Sequence, residues 1–189
     1  MLTVACVEHG NYLQRGDLYV SKLRSMVARN LKQPYRFECL RLDIGLTGWW
    51  NKTALFRPGQ FEGRVLYLDL DSIVCGSLDE LVERKGIIHL RDWGWTKNDY
   101  GSGVMVWESG EHAEIWSRFT PDVPKQYRGD QDWLTHLGGW PALPPPPVLC
   151  SYRYHCKDGP PKGCVVASMH GRPKQHELPA DHWVHSYWV

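Results

Sequence analysis

Arg64-Val65-Leu66-Tyr67-Leu68-Asp69-Leu70-Asp71 is the stretch on which the reading of this chain turns. Val65 to Leu68 is a near-continuous apolar run, the pattern of a central parallel strand buried on both faces. It leads straight into Asp69-Leu70-Asp71. Open α/β sheets bind their ligands at the C-terminal ends of such strands. Two carboxylates one residue apart in a turn approach a single hard cation. Their oxygens suit manganese or magnesium, which keep positions open for phosphate oxygens. A metal so placed neutralises a pyrophosphate as it leaves. The plainer alternative is a pair of aspartates that end a strand and cap a turn. The quality of the strand before them favours the site.

The flanks supply the rest of an α/β layout. Leu2 to Val7 reads as a strand and Glu8-His9-Gly10-Asn11 as a turn. Tyr12, Tyr19, Leu23, Met26 and Val27 recur at helical spacing up to Asn30. Tyr35 to Leu42 is a second strand, and Trp49 to Phe56 a helix closed by Pro58-Gly59. After the aspartates, Ser77 and Glu80 form a capping box before Leu81 and Val82, and Gly86 stops that helix. Gly86 to Leu90 and Ser102 to Trp107 are strands, with Arg91 to Gly101 a polar and aromatic loop between them. Glu111 to Phe119 and Asp130 to Leu137 are helices, the latter ended by Gly138-Gly139. Pro144 to Pro147 is an extended connector. Val165 to Met169 is a last strand that delivers His170. The prediction is one α/β domain over residues 1–189, a mixed and mostly parallel sheet flanked by helices.

Composition narrows the function. Lysine plus arginine number 22 and aspartate plus glutamate 21, so no general electrostatic grip on nucleic acid or an anionic membrane is expected. No apolar run approaches the about 18 residues a transmembrane helix needs. No signal peptide precedes the first strand, so the six cysteines are expected to be reduced and the protein cytoplasmic. Cys150, Cys156 and Cys164 near His155 lack a Cys-x-x-Cys pair, and spacing alone argues against structural zinc. Ten tryptophans and nine tyrosines suit either core packing or platforms for sugars and bases. No phosphate-binding glycine motif or Gly-x-Ser-x-Gly is present.

Other residues point the same way. His170 ends an apolar strand as the aspartates do, and manganese accepts its nitrogen more readily than magnesium does. Arg172 and Lys174 follow, two cations suited to a diphosphate. Asp130-Gln131-Asp132 opens a helix. Its acids either complement the helix dipole or hold sugar hydroxyls, with Gln131 near the reacting carbon. Ser102-Gly103 opens a strand, where glycine either relieves crowding or lets backbone approach a ligand.

Trp50-Asn51-Lys52, the Val65 to Asp71 run and Gly76-Ser77-Leu78-Asp79-Glu80-Leu81 resemble the GT-A glycosyltransferases. The chain is most similar to their glycogenin and lipopolysaccharide galactosyltransferase group, family 8. Tyr100 to Trp107 is similar to that group's Asn-Ser-Gly-Val strand, Gly129 to Leu134 to its Asp-Gln-Asp helix, and His170-Gly171-Arg172-Pro173-Lys174 to its His-Gly-Lys element. Together these elements cover nearly the whole chain in order.

The resemblance implies a GT-A, Rossmann-like fold and a metal-dependent transferase. Asp69, Asp71 and His170 would bind manganese or magnesium. Val7, Tyr12, Lys52, Leu70 and Lys174 would bind the donor, most often a UDP-sugar, with Tyr12 stacking on the base. Asp130 and Gln131 would be catalytic. Ser102, Gly103, Asp130, Asp132 and Gly171 would line the sugar and acceptor side. Family members retain anomeric configuration. The acceptor, whether carbohydrate, lipid-linked or protein, is open. Gly101 stands where many members have asparagine, and the interval from His170 to Lys174 is shorter than theirs. A sugar-nucleotide-binding or hydrolysing protein without transfer activity is the competing reading.

Overall fold

The computed structural model describes residues 1–10, 12–41, 45–89 and 99–189. Its strands are β1 (Leu2–Glu8), β2 (Tyr35–Arg41), β3 (Arg64–Leu68), β4 (Ser72–Val74), β5 (Gly86–His89), β6 (Tyr100–Glu108), β7 (Leu149–Ser151) and β8 (Val166–Ser168). The α-helices are α1 (Gly16–Asn30), α2 (Asp79–Val82), α3 (Glu114–Ser117), α4 (Val123–Gln126), α5 (Asp130–Leu137), α6 (Tyr152–His155) and α7 (Val184–Tyr187). The main sheet has the order β2-β1-β3-β6-β5, and a small one β4-β8-β7. β1 is parallel to β2 and β3, while β6 runs antiparallel to both β3 and β5. The result is the mixed, mostly parallel sheet predicted, with β3 at its centre.

Period-two alternation in the strands builds two cores. Val4, Cys6, Leu66, Leu68, Val104 and Val106 face one side, where Tyr19, Leu23, Met26 and Val27 of α1 and the small sheet cover them. Ala5, Val7, Val65, Tyr67, Met105 and Trp107 face the other, against Trp50, Phe56, Trp133 and Trp140. Most of the tryptophan among the described residues is therefore packing material. Trp50, Trp107, Trp133, Trp140 and Trp188 are buried, whereas Trp49 is 54% exposed.

Several elements depart from expectation. Residues 12–14 form a 3-10 turn with left-handed Leu13 and Gln14 (φ 52° and 59°), and α1 proper starts at Gly16. Gly48–Phe56 is 3-10 rather than α. The capping box at Ser77 and Glu80 does not form. Ser77 Oγ accepts from the Asp79 amide at 3.2 Å, and the helix begins at Asp79. The helix expected over residues 111–119 is only α3, because Gly110 and His112 are left-handed and break its first turn. β6 starts at Tyr100, before the expected Ser102. Asn11, Leu42, Leu90 and residues 91–98 of the expected loop lie outside the described residues. Among the described residues, no helix is long and apolar enough to cross a membrane.

Candidate active site

β3 ends at Leu68, and its backbone turns through Asp69-Leu70-Asp71 into β4. The turn is clamped on both sides. The Asp69 amide donates to the Gly103 carbonyl of β6 at 2.9 Å, and the Met169 amide donates to the Asp71 carbonyl at 3.3 Å. Asp69 thus faces the main sheet and Asp71 the segment after β8.

Each carboxylate has a lysine and a tyrosine. Lys52 Nζ lies 2.7 Å from Asp69 Oδ1, donates to Ser102 Oγ at 3.0 Å and sits 3.5 Å from Asp130 Oδ2. Tyr67 donates to Asp69 Oδ1 at 2.6 Å. Lys174 Nζ pairs with Asp71 Oδ2 and donates to the Met169 carbonyl at 3.0 Å. Tyr12 donates to Asp71 Oδ2 at 3.4 Å.

Burial works against the Lys52 charge, but Asp130 and Asp69 outweigh it and hold the ammonium above its ordinary range. Asp71 goes the other way. Burial pushes its carboxyl up, Lys174 pulls it back and Asp69 pushes it up again, for a net rise. Burial, with Asp71 and Asp69 for Tyr12 and with Asp69 for Tyr67, pushes both phenols up, so they remain donors.

These groups open on one pocket of about 390 Å³. Val7, Tyr12, Lys52, Asp69, Leu70, Asp71, Gly171 and Lys174 line it. That volume falls in the range of small-molecule sites, and its place outside the ends of β1 and β3 is where α/β sheets bind ligands. Gly171 is left-handed (φ 74°), and a Cβ there would lie 3.3 Å from Arg153 Nη1. Gly103 leaves room at the aspartates, since a Cβ would lie 3.4 Å from Asp69 Oδ2.

Other candidate residues lie around this centre. Asp130 and Gln131 begin α5, Asp130 buried and Gln131 half-buried. Asp130 Oδ2 is buried with no hydrogen-bond partner. Asp132 instead accepts from Arg128 Nε at 2.8 Å and Nη2 at 3.0 Å, outside the lysine–carboxylate cluster. Ser102 is fully buried and holds Lys52. His170 follows β8, with Nε2 2.6 Å from Ser151 Oγ and its ring stacked on Tyr154. Burial, with Arg153 and Lys174 nearby, holds its imidazole below the ordinary value, in the neutral form a metal requires. Arg172 pairs with Glu177.

The pocket also has walls that the sequence reading missed, namely Leu13, Gly48, Trp49 and Tyr67. Tyr67 was open to discovery, because residues i and i+2 of a strand share a face and Tyr67 precedes Asp69 by two. Trp49 was not, since nothing in Trp49-Trp50 says which indole is exposed.

The fold is that of the GT-A glycosyltransferases. No protein-family model and no curated protein matches the chain. Solved structures do. An active-site mutant of LgtC superposes with a TM-score of 0.66 at 13% identity, covering 98% of this chain and 93% of that one. The galactosyltransferase LgtC in complex with donor and acceptor sugar analogs gives 0.58 at 14%, covering 91% and 88%. A glycosyltransferase involved in glycosylation of the major capsid of PBCV-1 gives 0.60 at 15%, covering 93% and 96%. At such identities the likeness establishes the fold.

Proposed function

We propose that this protein is a metal-dependent glycosyltransferase that moves a sugar from a nucleotide-diphosphate donor, a UDP-sugar, to an acceptor with retention of anomeric configuration. The observation that carries the reading is the convergence of Asp69, Asp71, Lys52 and Lys174 on one pocket at the strand ends. Structures of the same fold include a galactosyltransferase solved with donor and acceptor sugar analogs.

The residues fit a divalent cation. Asp69 and Asp71 offer hard oxygens, Gly103 leaves Asp69 unobstructed, and the Asp71 charge is poorly compensated by Lys174 alone. Asp69 and Asp71 would hold manganese or magnesium, with His170 turning from Ser151 to join them. When bound, the ion supplies positive charge against the diphosphate as it leaves.

The chain's own groups do the rest. Val7 and Tyr12 face the base, and Leu70 packs beneath the donor. Lys174, already at Asp71, binds diphosphate oxygens as a point charge. Lys52 holds Asp69 and Asp130 in place. Asp130 Oδ2, ion-paired with Lys52 but without a hydrogen bond, accepts a sugar hydroxyl, and Gln131 lies beside the reacting carbon. Ser102, Gly103, Asp132 and Gly171 form or support the sugar and acceptor side. The acceptor oxygen bonds to the anomeric carbon from the face that the diphosphate leaves. The carbon–oxygen bond to the diphosphate breaks, and the acceptor proton passes to the departing phosphate oxygen.

A thermal-shift titration with manganese, with and without UDP or GDP, tests this. We expect stabilisation that needs metal and UDP together and vanishes in Asp71→Ala. No metal-dependent nucleotide effect on the natural chain would sink the reading. Free sugar released from a UDP-sugar whatever acceptor is present would favour the hydrolytic alternative.

A further inference from the structure

We propose that Cys75, Cys150, Cys156 and Cys164 bind a structural zinc ion, remote in role from the donor metal. The Sγ atoms of Cys150, Cys156 and Cys164 all lie within 4.8 Å of one another, and all three residues are buried. A tetrahedral zinc thiolate, with Zn–S about 2.3 Å, sets its sulfurs about 3.8 Å apart. The cluster therefore needs only a small contraction around an ion. Cys75 lies outside that group of three, but its amide donates to the Val165 carbonyl at 2.8 Å, which sets it next to Cys164, and its thiol supplies the fourth ligand by turning from the Ile73 carbonyl. His155 is a poorer fourth ligand, since its Nδ1 accepts from the Ser151 amide at 2.9 Å.

Spacing concealed this arrangement. The four cysteines come from separate places around the small sheet. Cys75 follows β4, Cys150 lies in β7, Cys156 ends α6 and Cys164 leads into β8. The absence of a Cys-x-x-Cys pair excludes a local knuckle, but not a site assembled by tertiary pairing.

The surroundings favour an ion over inert thiols. The three strands of the small sheet are three residues each, too short to hold by pairing alone. Between Cys156 and Cys164 runs Lys157-Asp158-Gly159-Pro160-Pro161-Lys162-Gly163, with no large apolar side chain to anchor it. Its two ends are ligands, so one ion closes the loop. Cys75 and Cys164 also line a pocket of about 640 Å³, which gives the cluster an access path. The chain runs from Cys164 through β8 to His170 and Lys174, so the clip steadies one wall of the active site.

The test uses the whole chain purified under reducing conditions without chelator. Elemental analysis is expected to find equimolar zinc in the natural protein and in Asp71→Ala, and much less in Cys156→Ser. In case that variant does not fold, the natural chain stripped and reloaded with cobalt(II) serves as a second readout. It is expected to show thiolate-to-cobalt charge transfer and the visible bands of tetrahedral cobalt. Folded, reduced protein that binds neither zinc nor cobalt would overturn the proposal. So would disulfides among these cysteines by mass spectrometry, or zinc lost in Asp71→Ala and kept in Cys156→Ser. None of these results bears on nucleotide binding, so this proposal and the transferase reading fail separately.

Discussion

Lys52 sits between two acids, and its side chain is 13% exposed, with Asp130 at 8% and Asp69 at 27%. Replacing it with methionine keeps the volume but strands two carboxylates in low dielectric. Removing one partner of a buried pair costs about 3–5 kcal/mol. We expect Lys52→Met to lose stability on that scale in urea unfolding, and a loss below about 1 kcal/mol would show that water reaches the acids. Trp49 offers the opposite case. It is largely exposed on the pocket rim, so Trp49→Ala is expected to change stability by less than about 0.5 kcal/mol. Its apolar face is worth about 1 kcal/mol to a bound ring. Donor affinity by calorimetry should fall several-fold, and unchanged affinity would remove Trp49 from the site. The strand ends that carry Asp69, Asp71 and His170 were readable in the sequence because aspartate and histidine are rare continuations of an apolar strand. The partners of each acid were not, because Lys52 and Lys174 reach them across the fold.

At the level of elements, β6 serves the site through the Gly103 backbone as well as the Ser102 hydroxyl. Gly103 accepts the Asp69 amide and places no side chain over its carboxylate. A Cβ there would make ordinary contact, so Gly103→Ala is expected to fold with a stability change of under about 1 kcal/mol. Gly103→Val adds branches that press on Asp69. We expect it to keep the fold by circular dichroism and to lose manganese-dependent stabilisation by UDP. Equal nucleotide effects in the two variants would argue that Asp69 does not need this space. Legibility also followed element length. β1, β2, β3, β6, α1 and α5 were visible because each repeats its apolar period several times. β4 and β7 were invisible, since three residues carry no period and exist as strands only by pairing with β8. Gly48–Phe56 has a helical pattern but packs as 3-10, a choice made by tertiary contact of Trp50, Leu55 and Phe56.

For the molecule as a whole, acid is the informative stress. The net charge is +1 at pH 7 with nine histidines neutral. Burial holds His112, His170 and His176 below the ordinary value of 6.5, with cations adding to the effect at the latter two. The unfolded chain takes up these protons first. Stability from them is therefore complete above pH 6.5 and declines as pH falls toward the folded values. Asp79 and Asp132, lowered from 3.8 by hydrogen bonds, act in the same direction at lower pH. Asp71, raised, contributes the opposite slope and offsets part of the loss. We expect the urea midpoint to fall between pH 7 and about pH 5. His112 isolates one share of that slope. It stacks on Trp140 at 3.8 Å between ring centroids, and its left-handed backbone suits asparagine. His112→Asn should be less stable than the natural chain at pH 7 and lose less on acidification, so that the two midpoints converge. Parallel midpoints would mean that the imidazole charges in place, with Glu114 stabilising the cation as much as burial opposes it.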